Sequence, residues 1–285
     1  MTPLRLLCAV LFANVVMPFG ASAAVVPLRG VVGISVGTDF SCAVIQLGDV
    51  YCWGKNDVGQ LGVATPAIND GGYHTALNPV KVIGLSGVVS AASGWGHSCA
   101  VRNDASVWCW GNNNVGQAGN ASLTEQRAPS RVSGLPPVAS IYASAIGSCA
   151  VTVGGELWCW GDFEYFNGLL VAGRTGADRA SPSRIAGVSQ VASMALGPNN
   201  ACAVTRAGQV YCWGDSGSGQ IGDNGISSYP SAPQRVHNLN DAIGVAVSNS
   251  GACAVRSSGT LMCWGSVFDV GNSYGGSNSP VPVAV

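Results

Sequence analysis

The stretch Cys202-Ala-Val-Thr-Arg-Ala-Gly-Gln-Val-Tyr-Cys212, followed by Trp213-Gly214, decides the fold. Two apolar, β-branched runs flank a short polar turn, which is the pattern of an antiparallel hairpin. A turn centred on Ala207 sets Cys202 opposite Cys212, Ala203 opposite Tyr211 and Val204 opposite Val210. Directly opposed Cβ atoms lie roughly 4.5 to 5.5 Å apart, and a disulfide prefers about 3.5 to 4.5 Å. A disulfide is therefore within reach, with modest distortion, at a non-hydrogen-bonded pair.

The same stretch recurs five times, as Cys42/Cys52, Cys99/Cys109, Cys149/Cys159, Cys202/Cys212 and Cys253/Cys263. Every first cysteine is followed by Ala-Val and every second by Trp-Gly. First cysteines are 57, 50, 53 and 51 residues apart, a period that belongs to solenoids and propellers. Each unit opens on an alternating segment such as Val88 to Ser93 or Val191 to Leu196. It then forms the hairpin, crosses a Gly/Asn/Asp/Ser loop and closes on Pro with a β-branched residue, as in Pro79-Val80-Lys81-Val82 or Pro280-Val281-Pro282-Val283. That predicts an all-β chain of four short strands per unit, with five disulfides each closing a loop of about eleven residues and contributing roughly 2 to 3 kcal/mol before strain. Zinc is the competing use of cysteine pairs. Ten residues is an unusual ligand spacing, and His74, His97 and His237 follow no pattern.

The eleventh cysteine, Cys8, lies in a segment with Arg5, an apolar run from Leu6 to Val16 and the small-residue ending Ala21-Ser22-Ala23. This reads as a secretory signal peptide, residues 1–23. Removing 23 of the 285 residues leaves 262 with ten paired cysteines, as expected of a secreted or periplasmic protein in an oxidising compartment. Residues 24–285 then form a single domain, with repeats at approximately 31–83, 84–132, 133–185, 186–236 and 237–285.

Charged residues make up 9% of the chain, against roughly 25% in ordinary soluble domains, and 40 glycines favour strands and tight turns over helices. Without Arg5 the 13 basic residues become 12 against 14 acidic ones, so there is no electrostatic footprint for nucleic acid.

These residues resemble the regulator of chromosome condensation repeat family, whose unit pairs a Cys/Ser-Ala-Leu strand with a Trp-Gly strand and a following Asn-x-x-Gly-Gln-Leu-Gly loop. Here that loop reads Asn56, Gly59-Gln60-Leu61-Gly62, then Asn113, Gly116-Gln117-Ala118-Gly119, then Gly219-Gln220-Ile221-Gly222. The third unit carries Asp162-Phe-Glu-Tyr-Phe-Asn-Gly168 instead, and the fifth keeps only a remnant. The resemblance spans residues 31 to 283 and implies a β-propeller of four-stranded blades. The well-known members have seven repeats and this chain has five, so the ring is either a closed five-bladed one or an incomplete one. Within a propeller, Trp53, Trp110, Trp160, Trp213 and Trp264 read as packing residues between blades.

A propeller does not name a function. The family's nuclear roles, nucleotide exchange on a small GTPase and chromatin binding, do not suit an exported chain without a basic surface. Bacterial secreted relatives of the fold include inhibitors that clamp an extracellular enzyme. The first expectation is a non-enzymatic binding module for an extracellular or envelope protein, contacting it through loops that break the repeat. These are Asn69 to Asn78, with Tyr73 and His74, and Asp162 to Arg179, with Phe163, Tyr165, Phe166, Arg174 and Arg179; Trp95 is a further candidate. Exposed aromatics and Arg suit interface hot spots, although aromatics at these places also serve to cap the ring. A propeller lectin is the alternative, yet Trp95 has no equivalent where other units carry Thr38, Ala145, Pro198 or Asn249. No cofactor, metal or catalytic constellation is expected. Gly-Lys-Ser/Thr is absent, Gly214-Asp-Ser216-Gly-Ser is a near miss to Gly-x-Ser-x-Gly, and no recurring carboxylate pair exists.

Overall fold

In the computed structural model the described residues are 27–63, 69–70, 73–162, 180–225, 230–268, 270 and 277–285. Residues 1–23, expected from sequence to be a signal peptide, lie outside them.

Five antiparallel sheets follow one another along the chain. Blade 1 holds β1 (Val31–Val36), β2 (Phe40–Ile45), β3 (Val50–Lys55), β4 (Asn69–Asp70) and β5 (Tyr73–Lys81). Blade 2 holds β6 (Val88–Ser93), β7 (His97–Arg102), β8 (Val107–Gly111) and β9 (Gln126–Arg131). Blade 3 holds β10 (Val138–Ala143), β11 (Gly147–Thr152), β12 (Leu157–Gly161) and β13 (Ser183–Arg184). Blade 4 holds β14 (Val191–Leu196), β15 (Asn200–Thr205), β16 (Val210–Gly214) and β17 (Gln234–Arg235). Blade 5 holds β18 (Ala242–Val247), β19 (Gly251–Arg256), β20 (Leu261–Gly265) and β21 (Ser279–Ala284). The first strands β1, β6, β10, β14 and β18 contact one another in that order and form the inner wall.

The central hairpin of each blade has the expected register, with cysteine opposite cysteine. All five disulfides form as the spacing requires: Cys42–Cys52 in blade 1, Cys99–Cys109 in blade 2, Cys149–Cys159 in blade 3, Cys202–Cys212 in blade 4 and Cys253–Cys263 in blade 5. Their Cα atoms are 4.1 Å apart, close to the roughly 4.5 Å of a non-hydrogen-bonded pair. The turn in blade 4 is a three-residue loop closed by the Thr205 amide on the Gln209 oxygen at 2.9 Å, and Gly208 takes the left-handed position at φ 76°. That is the three-residue hairpin with a glycine bulge. The Gly of Trp-Gly is required for a different reason. At Gly111, φ is 99° and a Cβ would come 2.4 Å from the Gly96 oxygen, so the edge of the blade closes only without a side chain.

Blade 1 departs from the four-strand expectation. Asn69 to Asn78, read from sequence as a loop, is mostly strand: β4 and β5 pair Asn69 with His74 and Asp70 with Tyr73. Asn69-Asp70-Gly71-Gly72 carries the residue types that a tight hairpin turn demands.

Alternation along each strand gives every blade two faces. One, here called leading, bears residues such as Ile141, Ala150 and Trp160; the other, trailing, bears Val101, Val107 and Cys109. Among the described residues the buried hydrophobics form four clusters, each joining the trailing face of one blade to the leading face of the next. None of these four joins blade 5 to blade 1. Ile34 on the leading face of blade 1 is 74% exposed, where Ile141 is 7% exposed. The packing role expected of the five Trp residues therefore holds fully for four: Trp110, Trp160, Trp213 and Trp264 are completely buried, whereas Trp53, with no blade in front of it among the described residues, is half-buried.

Candidate binding rim

The two rims of this arc differ in what they carry. One bears the three-residue hairpin turns, such as Leu47-Gly48 and Arg206-Ala207-Gly208. The other gathers the connection from first to second strand in each blade and the long connection that follows each Trp-Gly. On this second rim, Thr38, Trp95, Ala145 and Pro198, four of the five equivalent positions, surround one cavity of about 290 Å³ at the mouth of the inner wall. Only Trp95 among them is a large aromatic, and it is 47% exposed. Its backbone amide is held by the Ala145 oxygen of the next blade at 3.1 Å.

On its other side Trp95 borders a second cavity, of about 250 Å³, lined also by Asp39, Lys55, Asp57, Asn112 and Gln117. Lys55 lies 3.2 Å from Asp57 and 3.8 Å from Asp39. The hydrogen bond to Asp57, then the charge of that carboxylate, holds the Lys55 ammonium above its ordinary range. The site thus offers an aromatic face beside an ion trio and two amides. Such a surface stacks, hydrogen-bonds and pairs with charge. No group of three His, Cys, Asp or Glu residues able to hold a metal occurs among the described residues.

The cysteines stand apart from this rim. Cys52 on β3 and Cys159 on β12 are completely buried in the interblade clusters of their own blades, each oxidised to its hairpin partner, so neither is a free thiol or a ligand.

His97 is not part of the binding surface either. It is completely buried, and its Nε2 pairs with the Ser148 hydroxyl across the interface between blades 2 and 3 at 2.9 Å. Burial lowers its pKa to about 4. His97 is therefore an interblade hydrogen bonder.

Of the other expected contacts, Tyr73 and His74 lie on β5, in the connection that leaves this rim after Trp53-Gly54. The His74 oxygen accepts from the Asn56 amide at 2.6 Å. Phe163, Tyr165, Phe166, Arg174 and Arg179 lie outside the described residues. Their segment departs from Asp162, whose amide bonds the Ile146 oxygen at 2.9 Å, and Ile146 lines the Trp95 cavity. Phe268, 94% exposed, follows Trp264-Gly265 in the same kind of connection and was not singled out from sequence. Its signal was an aromatic inside a Ser/Gly/Asn-rich stretch in the unit with the weakest motif.

A family model described as the regulator of chromosome condensation (RCC1) repeat matches residues 48–101, 104–151 and 207–255, and a second with the same description matches 31–60, 88–117 and 191–220. The chain belongs to the RCC1 repeat family. Among RCC1-repeat relatives, the human E3 ubiquitin-protein ligase HERC2 is 34% identical over 102 residues, 35% of this chain and 2% of HERC2. The ultraviolet-B receptor UVR8 of Arabidopsis thaliana is 29% identical over 241 residues, 82% of this chain and 53% of UVR8. The chain thus spans about half of UVR8 and a small fraction of HERC2. Two solved RCC1-type structures share its fold. Human WBSCR16 has a TM-score of 0.76 at 22% identity, over 91% of this chain and 68% of that one. Yeast RCC1 (Prp20), solved with Kap60 bound, has 0.74 at 20% identity, over 90% and 63%.

Proposed function

We propose that this RCC1-repeat chain is a non-enzymatic module that binds a protein in an oxidising compartment outside the cytoplasm, using the rim around Trp95. The observation that carries the reading is the placement of Trp95: a half-exposed indole between two cavities, on the rim where the connections that depart from the repeat also leave the blades. Trp is among the residue types that interface hot spots favour. Protein binding also suits the likeness to yeast RCC1, which is solved with Kap60 bound. Five disulfides support export, because thiols stay reduced in the cytosol. The expected signal peptide at residues 1–23 would supply the route.

The test compares three oxidised proteins immobilised against secreted and envelope fractions: wild type, Trp95→Ala and Leu47→Ala, the last on the opposite rim and 84% exposed. The reading expects a partner retained by wild type and Leu47→Ala and lost from Trp95→Ala. Retention by all three proteins, or capture lost only in Leu47→Ala, moves the contact off this rim. Binding of a glycan in place of any protein selects the lectin alternative.

A further inference from the structure

The four interblade clusters are one interface repeated. Blade 3 seats Ile141, Ala150 and Trp160 on Val101, Val107 and Cys109 of blade 2, and blade 5 seats Ala254 and Trp264 on Val204, Val210 and Cys212 of blade 4. Each half of that interface exists once more without its counterpart among the described residues. The leading face of blade 1 presents Ile34, Val36 and Trp53, with Ile34 74% and Val36 68% exposed. The trailing face of blade 5 presents Val255 and Leu261, 39% and 38% exposed, where the equivalent Val204 and Val210 are 2% and 0% exposed. Neither set contains a charged residue. The named residues of both faces are apolar and match the halves of an interface the chain already makes four times.

We propose that copies of this chain associate end to end, the leading face of blade 1 in one copy packing on the trailing face of blade 5 in the next. The pairing is leading to trailing because the internal interfaces are. Two leading faces brought together would oppose Trp53 to Trp53, a contact no interface in the chain uses. A head-to-tail interface has no two-fold axis to stop it, so association runs past the dimer as concentration rises. It leaves both rims open, and Trp95 remains available in every copy.

Sedimentation velocity on the oxidised wild-type protein, from low to high micromolar concentration, reads the mass directly. Two variants carry one spoiled end each: Ile34→Glu on blade 1 and Leu261→Glu on blade 5. Matching thermal melts by circular dichroism establish that both are folded, as expected for exposed positions. Wild type is expected to grow in mass with concentration, and each variant alone to stay monomeric. An equimolar mixture of the two is expected to give a species of twice the monomer mass and nothing larger, since it contains one intact leading face and one intact trailing face. A monomeric wild type across the range overturns the proposal. So does association that survives either substitution, or a mixture that stays monomeric while wild type associates.

Discussion

The indole N–H of Trp160 donates to the main-chain oxygen of Gln117 in the preceding blade at 2.9 Å. Trp110 does the same to Gln60 and Trp264 to Gln220, at the same distance. Trp213 faces blade 3, whose Gly-Gln-x-Gly loop is replaced, and its buried N–H has no acceptor among the described residues. Changing Trp to Phe removes similar volume at each site, so the difference between sites isolates the hydrogen bond. Trp160→Phe is expected to destabilise by about 1 kcal/mol more than Trp213→Phe, because one loses a made bond and the other loses a donor with no acceptor among the described residues. Chemical denaturation of the two variants measures this, and equal losses would refute it.

Asn200 occupies in blade 4 the place of His97 in blade 2. His97 has Ser148 in front of it; Asn200 has Ala252 at the matching position of blade 5, and both ends of its buried amide lack partners among the described residues. Ala252→Ser restores a hydroxyl there. The expected gain is about 1 kcal/mol, the net worth of a buried hydrogen bond whose absence left polar atoms unpaired. A lower denaturation midpoint would show that the site has no room for the hydroxyl.

Burial lowers the His97 pKa from 6.5 to about 4, so the unfolded chain binds a proton at this residue more readily than the folded one. Stability from His97 is therefore complete above about pH 6.5 and is lost as pH falls towards 4, with a total on the order of 3 kcal/mol. His97→Asn, the residue blade 4 uses, is expected to flatten the stability profile between those limits. An unchanged slope would assign acid sensitivity to other groups.

Ala105 holds the left-handed turn position of the blade 2 hairpin at φ 62°, where Gly48, Gly155, Gly208 and Gly259 stand in the others. A Cβ in that conformation costs about 1 to 2 kcal/mol, partly offset by the stiffer unfolded chain. Ala105→Gly should raise the thermal midpoint, with a net gain of roughly 0.5 kcal/mol. A drop would mean that the Ala105 methyl packs usefully against the connection to blade 3.

Repeat period, hairpin register and all five disulfides were legible because each is decided within about a dozen residues by spacing and side-chain alternation. Interblade properties were not. Whether Ile34 is covered depends on the angle each blade makes with the next, summed along the arc, and no local pattern encodes that sum. The Asn200–Ala252 mismatch likewise needs knowledge of which residues oppose across an interface. Trp95 was legible as an odd residue in its column, whereas its place between two cavities required four blades to be assembled. The Asn69 to Asn78 segment carries an Asn-Asp-Gly-Gly turn signal, but its strands β4 and β5 lack the apolar alternation by which the other strands are legible.

The five disulfides are chemically alike but differently covered. In blades 1 to 4 a following blade lies over both sulfurs: Cys42 with Cys52, Cys99 with Cys109, Cys149 with Cys159 and Cys202 with Cys212 are all at most 1% exposed. Cys253 sits on the uncovered trailing face of blade 5 and is half-buried. Thiol–disulfide exchange needs a thiolate to reach a sulfur in line, so access sets the order of reduction. In dilute oxidised protein, Cys253–Cys263 is expected to be reduced first, and mass mapping after limited treatment with a thiol and alkylation identifies it. At concentrations where copies join end to end, the same bond is covered by blade 1 of the next chain and its reduction should slow. In Leu261→Glu, whose trailing face stays open, the slowing should disappear. Reduction of an internal disulfide such as Cys149–Cys159 first would mean that the blades separate more readily than their buried clusters imply.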